Sequence, residues 1–133
     1  NPVDTVAAGF VTYPCLWPLL EDDNLDALLV VSAIGWSIRG FRGPGASATP
    51  ADKRIEELAR QLEEEELKGA DKLIEYMDKY HKPVIISNRI TEGMRSSPVY
   101  KKLQENGILM YPTPERAAKV LAHLVRYSRY LNQ

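Results

Sequence analysis

The sequence predicts an α/β domain, because short continuous apolar runs alternate with longer stretches whose apolar residues recur every three to four positions. An unbroken apolar run is the mark of a strand buried on both faces of a parallel sheet, and parallel strands need crossover helices between them. Three of the helical stretches open on a hydroxyl-proline pair, Thr49-Pro50, Ser97-Pro98 and Thr113-Pro114. Such a pair caps the first amides and puts a preset φ at the first helical position. With 133 residues, a net charge of -1 and 44% apolar residues, the chain suits one domain, residues 1–133, with a single core.

In chain order, Tyr13, Leu16, Trp17 and Leu20 predict a short helix entered through Pro14 and limited by Pro18. Residues 25–34 read LDALLVVSAI and predict the first interior strand. Ile55, Leu58, Ala59, Leu62, Ala70, Leu73, Ile74 and Met77 form one helical face, with Thr49, Pro50 and Asp52 as its start signal. One helix over residues 51–80 would run roughly 45 Å, longer than a small domain needs, so a break is expected near Gly69. Residues 82–87, KPVIIS, predict a second strand with Pro83 at its start. Val99 and Leu103 turn inward from a helix that stops at Asn106-Gly107, and residues 108–111 give a third, shorter strand. The last helix carries Ala117, Ala118, Val120, Leu121, Leu124 and Val125 on a broad inward face. Residues 3–6 are expected to add an edge strand.

Charge and composition narrow the function classes. Acidic and basic residues nearly cancel, which gives no general attraction for nucleic acid. The longest apolar runs are too short to cross a bilayer, so no membrane role is expected. Cys15 has no partner for a disulfide, consistent with a reducing cytoplasm. Flanked by Pro14, Leu16 and Trp17, it reads as a small core residue, not as a reactive thiol. His81 ends a helix and His123 lies within one, neither in a nucleophile or metal motif, and residues 63–66 read as a solvated acidic face.

Ligands of open α/β sheets sit beyond the carboxyl ends of the strands. Residues 35–49, GWSIRGFRGPGASAT, follow the first strand and offer backbone amides beside Arg39, Gly40, Arg42 and Gly43 for a phosphate or a neighbouring domain. They match neither the P-loop lysine pattern nor the GxGxxG spacing, and Asp52 opposes an anion there. Residues 87–97, SNRITEGMRSS, follow the second strand and bring Asn88 and Arg89, with Glu92 and Arg95, to the same edge. The plain alternatives are a glycine-rich connection in the first case and a solvated polar turn in the second.

Taken in order, Asn1-Pro2-Val3-Asp4, Asp26-Ala27-Leu28-Leu29-Val30, Lys82-Pro83-Val84, Gly107-Ile108 and the stretch from Tyr111-Pro112-Thr113-Pro114 through Glu115-Arg116-Ala117-Ala118 resemble the ligase domain of NDP-forming acyl-CoA synthetases. The resemblance covers nearly the whole chain, and its first and last segments are the most specific. It implies a flavodoxin-like three-layer domain with a mostly parallel sheet, lacking its first strand-helix unit. This family includes ADP-forming acetate-CoA ligases and is related to succinyl-CoA synthetase. Its members interconvert acyl-CoA, phosphate and a nucleoside diphosphate with the acid, CoA and the triphosphate through a phosphohistidine. That histidine belongs to another domain, in a glycine-flanked motif that this sequence lacks. The resemblance thus implies no cofactor held by this chain alone, with CoA, ATP or ADP and Mg required by the complete enzyme. The implied partners are phosphohistidine-bearing, CoA-binding and ATP-grasp domains or subunits. No catalytic residue transfers by motif, and both the glycine-rich loop and the acidic helix are longer than is usual for the family. Two rival readings stay open: a non-enzymatic interaction module using the long acidic helix, and a small flavin- or nucleotide-binding protein, for which the phosphate motifs are missing.

Overall fold

In the computed structural model, residues 3–4, 9–32, 34 and 50–132 are described. Three strands, β1 (Leu28–Val31), β2 (Val84–Ser87) and β3 (Met110–Tyr111), form a parallel sheet in which spatial order follows chain order. A short 3-10 turn (Gly9–Val11) leads into α1 (Tyr13–Glu21), and α2 (Pro50–Tyr80) connects β1 to β2. The connection from β2 to β3 holds α3 (Glu92–Arg95) and α4 (Pro98–Glu105), and α5 (Pro114–Leu131) follows β3. The α/β class, the parallel pairing and all three interior strands agree with the sequence pattern. Val3 and Asp4 are not in a strand, which removes half of the expected edge strand, and Thr5 and Val6 lie outside the described residues.

One face of the sheet carries the main core. Leu28 and Val30 of β1, Val84 and Ile86 of β2, and Met110 of β3 meet Tyr13, Leu16 and Leu20 of α1, Ala70 and Leu73 of α2, and Val99 and Leu103 of α4. α5 lies on the other face against all three strands, and all four residues of β2 are buried. Side chains of alternate strand residues point to opposite faces, so a central strand covered on both sides must be apolar throughout.

Several expectations are corrected by packing. α2 runs unbroken through Gly69. The glycine admits the Tyr13 ring, because a Cβ there would stand 2.4 Å from Tyr13 Cδ2. α1 continues past Pro18 to Glu21. Beyond Pro18, Leu20 is fully buried, and Lys82 Nζ donates to the carbonyls of Leu20 and Asp22 at 2.8 and 2.7 Å. That lysine satisfies acceptors a helix end leaves over. Glu66, expected on a solvated face, is 2% exposed and lies against Gly9, where the chain turns with φ +62°. Of the broad apolar face of α5 only Ala117 is buried; Ala118, Leu124 and Val125 are exposed. The first turns of α2 behave likewise, with Ile55 and Leu58 exposed and Ala59 buried.

Candidate functional site

The carboxyl ends of the three strands are drawn together by one side chain. Asn88, the residue after β2, donates its backbone N–H to the carbonyl of Tyr111 in β3 at 2.8 Å. Its side-chain Nδ2 donates to the carbonyl of Ile34, just beyond β1, at 2.6 Å. Asn88 is 6% exposed, so both bonds are shielded from water. The asparagine singled out in the sequence therefore ties the chain leaving β1 to the ends of β2 and β3. Arg89, its neighbour, is exposed at the same edge. Arg39, Gly40, Arg42 and Gly43 lie outside the described residues.

Around this edge two threonine hydroxyls cap helices, whereas Ser97, which precedes α4, makes no side-chain cap and its buried hydroxyl has no hydrogen-bond partner. Thr91 Oγ1 accepts from the amide of Met94 at 3.2 Å and starts α3. Thr113 Oγ1 accepts from the amide of Arg116 at 3.3 Å and starts α5. Thr12 and Ser32 share a hydroxyl hydrogen bond of 2.9 Å that fixes the start of α1 beside the end of β1. At the positive end of α5 stands Glu115. Its own backbone amide, then the Thr113 hydroxyl, hold its carboxyl below the ordinary range. A protein carboxylate thus already occupies the position a ligand anion would favour.

Neither histidine reaches the edge. His81 follows α2 with φ +53° and lines a cleft of about 390 Å³ at the opposite, amino end of the sheet, with Asp78, Asn106 and Ile108. His123 is exposed on α5. Among the described residues no group of three or more His, Cys, Asp or Glu side chains is placed to hold a metal ion. No helix among them is long and apolar enough to cross a membrane.

Two features escape sequence reading. An aromatic row crosses the α1–α2 contact: Tyr13 to Trp17, Trp17 to Tyr76 and Tyr76 to Tyr80, with ring centres 6.2, 5.0 and 5.4 Å apart. Lys72 and Lys79 lie over these rings, 4.9 Å from Trp17 and from Tyr80 respectively. Tyr13 with Trp17 and Tyr76 with Tyr80 each stand at helical spacing, but the two pairs are far apart in sequence, so their meeting was not legible. The second feature is a groove of about 380 Å³ along β1, between α1 and Leu121 of α5. Cys15 lines it, half-buried instead of sealed in the core.

The fold and this edge define the class: an α/β domain with a small, open, parallel sheet whose strand ends are joined through a buried asparagine. No known protein family, curated protein or solved structure matches the chain.

Proposed function

We propose that this chain is one domain of an NDP-forming acyl-CoA synthetase, in which it packs beside the phosphohistidine-bearing domain and frames that site without contributing a catalytic group. The supporting observation is the chemistry of the strand ends. Among the described residues this edge holds Asn88 and Arg89 but no histidine, and the hydroxyls of Thr12, Ser32, Thr91 and Thr113 serve structural contacts. A scaffold of that kind suits a domain whose partner supplies the phosphoryl carrier. The family landmarks also fall at coherent places: two of them on β1 and at the start of β2, and the last from Tyr111 into the first turn of α5. The fold we propose is flavodoxin-like, a reading favoured by the parallel sheet with α1, α2 and α4 on one face and α5 on the other.

On this reading CoA, ATP or ADP and Mg are bound by other domains of a cytoplasmic enzyme, with Arg39, Gly40, Arg42, Gly43 and Arg89 at the contact and the buried Asn88 behind them holding the strand ends together. The test is to isolate the native polypeptide with an antibody raised to this chain, then supply acyl-CoA, phosphate and Mg-ADP. A polypeptide or complex much larger than 15.0 kDa that forms ATP and carries acid-labile phosphohistidine is expected. A 15.0 kDa protein with no such activity and no synthetase subunits attached would sink the proposal.

The interaction-module reading has one observation in its favour. The first turns of α2 place exposed Ile55 and Leu58 beside an acidic, ion-paired surface that includes Glu57, Arg60 and Glu64. A partner recovered through Ile55 and Leu58, without synthetase domains, would bring it forward.

A further inference from the structure

Two helices carry their inward faces past the sheet. In α5 the face that begins with buried Ala117 and half-buried Val120 and Leu121 continues through Leu124, Tyr127 and Leu131. Those last three are 43%, 61% and 62% exposed, and every residue from Ala122 to Asn132 is exposed. In α2 the face that holds Ala70 and Leu73 in the core starts as Ile55, Leu58 and Leu62. There Ile55 is 41% and Leu58 49% exposed, and Leu62 is half-buried.

The two overhangs match in spacing and oppose in charge. Leu124, Tyr127 and Leu131 stand three and then four residues apart, and so do Ile55, Leu58 and Leu62. Seams of that spacing interdigitate, here over about two turns, roughly 10 Å of each helix. After Glu115, α5 has no acidic residue and carries Arg116, Lys119, Arg126 and Arg129. The overhang of α2 carries Glu56, Glu57, Glu63, Glu64 and Glu65 against Lys53, Arg54 and Arg60. Glu57 and Glu64 share one partner, Arg60, on an exposed surface, so the overhang stays net negative. Residues 1–2, 5–8, 33, 35–49 and 133 contain no acidic side chain and offer α5 no counter-charge. α2 starts beyond the carboxyl end of β1, whereas α5 runs from the carboxyl end of β3 toward the amino edge. The overhangs thus lie at opposite edges of the sheet, and one copy cannot bring its own two together.

We infer that the overhang of α5 docks on the overhang of α2 from a second copy of this chain, apolar seam on apolar seam, with Arg126 and Arg129 facing Glu57 and Glu64. Matched spacing and opposite charge specify the occupant. An anionic lipid surface would also attract a basic helix, but it would take α5 alone and leave the complementary seam of α2 exposed. Two α5 helices would set like charges against each other. A contact of two turns is smaller than a standard interface, so the association is weak and sensitive to salt. The contact is independent of the ligase reading, and a failed ATP-forming assay leaves it standing.

The test is sedimentation equilibrium on the 133-residue chain over about 5–500 µM, in about 50 mM and about 500 mM salt. At low salt the mass is expected to rise above 15.0 kDa with concentration, and at high salt the dissociation constant should increase about tenfold or more. Arg126→Glu with Arg129→Glu, and separately Glu57→Lys with Glu64→Lys, should each abolish self-association while the circular dichroism stays that of the parent. Mixing the two doubly substituted chains should restore association, because an acidic α5 then meets a basic α2 and a basic α5 an acidic α2. A parent chain that stays at 15.0 kDa at every concentration overturns the inference. So does association indifferent to salt, or a mixture of the two variants that stays monomeric. A chain that binds vesicles of anionic lipid without self-associating also overturns it, because the occupant of α5 is then a membrane surface.

Discussion

Tyr13 is fully buried against Gly69 and carries a hydroxyl with no hydrogen-bond partner. Burial, reinforced by the nearby Glu66 carboxylate, pushes its phenol well above the ordinary value. A phenol that resists ionisation in the folded chain stabilises fully below its unfolded pKa, about 10, and progressively less above it. Stability is therefore expected to fall above about pH 10 by up to about 1.4 kcal/mol per pH unit from this group. Tyr13→Phe should remove that component of the slope and leave stability at neutral pH unchanged or raised by about 1 kcal/mol, since an unpartnered buried hydroxyl is lost. Chemical denaturation at neutral and alkaline pH checks both, and an unaltered alkaline slope would exclude Tyr13 as its source. At Gly69, alanine would gain helix propensity of about 1 kcal/mol but place its Cβ inside the Tyr13 ring. A net loss of about 1–3 kcal/mol is expected from overpacking, whereas a more stable variant would show that the ring shifts freely. Asn88→Ala should cost about 1–3 kcal/mol by stranding the Ile34 carbonyl, with faster amide exchange at Ser32 and Ile34 as its local signature.

At the scale of elements, α5 separates helix formation from burial. Its start is well specified by the Thr113 cap, Pro114 and Glu115, and its apolar period is regular. Periodicity reports a face able to be buried, not the presence of something to bury it, and among the described residues only Ala117 of this helix is buried. Replacing Leu124 and Val125 together by serine is accordingly expected to change the stability of this chain by less than about 0.5 kcal/mol per site. A much larger loss in a denaturant titration would mean that the face is covered. The long α2 shows the converse. Its second half is held by Ala70 and Leu73 in the core, and the stacked aromatic row adds contacts along the α1–α2 seam. Its Glu57–Arg60 and Lys68–Glu65 pairs are exposed and contribute little individually.

At the scale of the whole molecule, the candidate contact with a neighbouring domain lies at the strand ends and is testable in the complete protein. Substituting both Arg39 and Arg42 by alanine is expected to reduce the activity of the full enzyme on the proposed reading while leaving the circular dichroism of this chain intact. Unchanged kinetics would remove those arginines from the contact. The three interior strands, the four longer helices and the parallel arrangement were legible in the sequence because unbroken apolar runs, helical periodicity and hydroxyl-proline starts are local signals, whereas α3 falls in a stretch read as a loop. Asn88 and Arg89 were legible as edge residues for the same reason: they directly follow a readable strand. What Asn88 holds was not, since Ile34 and Tyr111 reach it only once three separate strands are aligned. The use of Gly69 for ring contact, the burial of Glu66 and the persistence of α1 past Pro18 were likewise decided by tertiary structure. Each depends on a neighbour distant in the chain, and local patterns encode what a segment can form but not which surfaces remain without a partner.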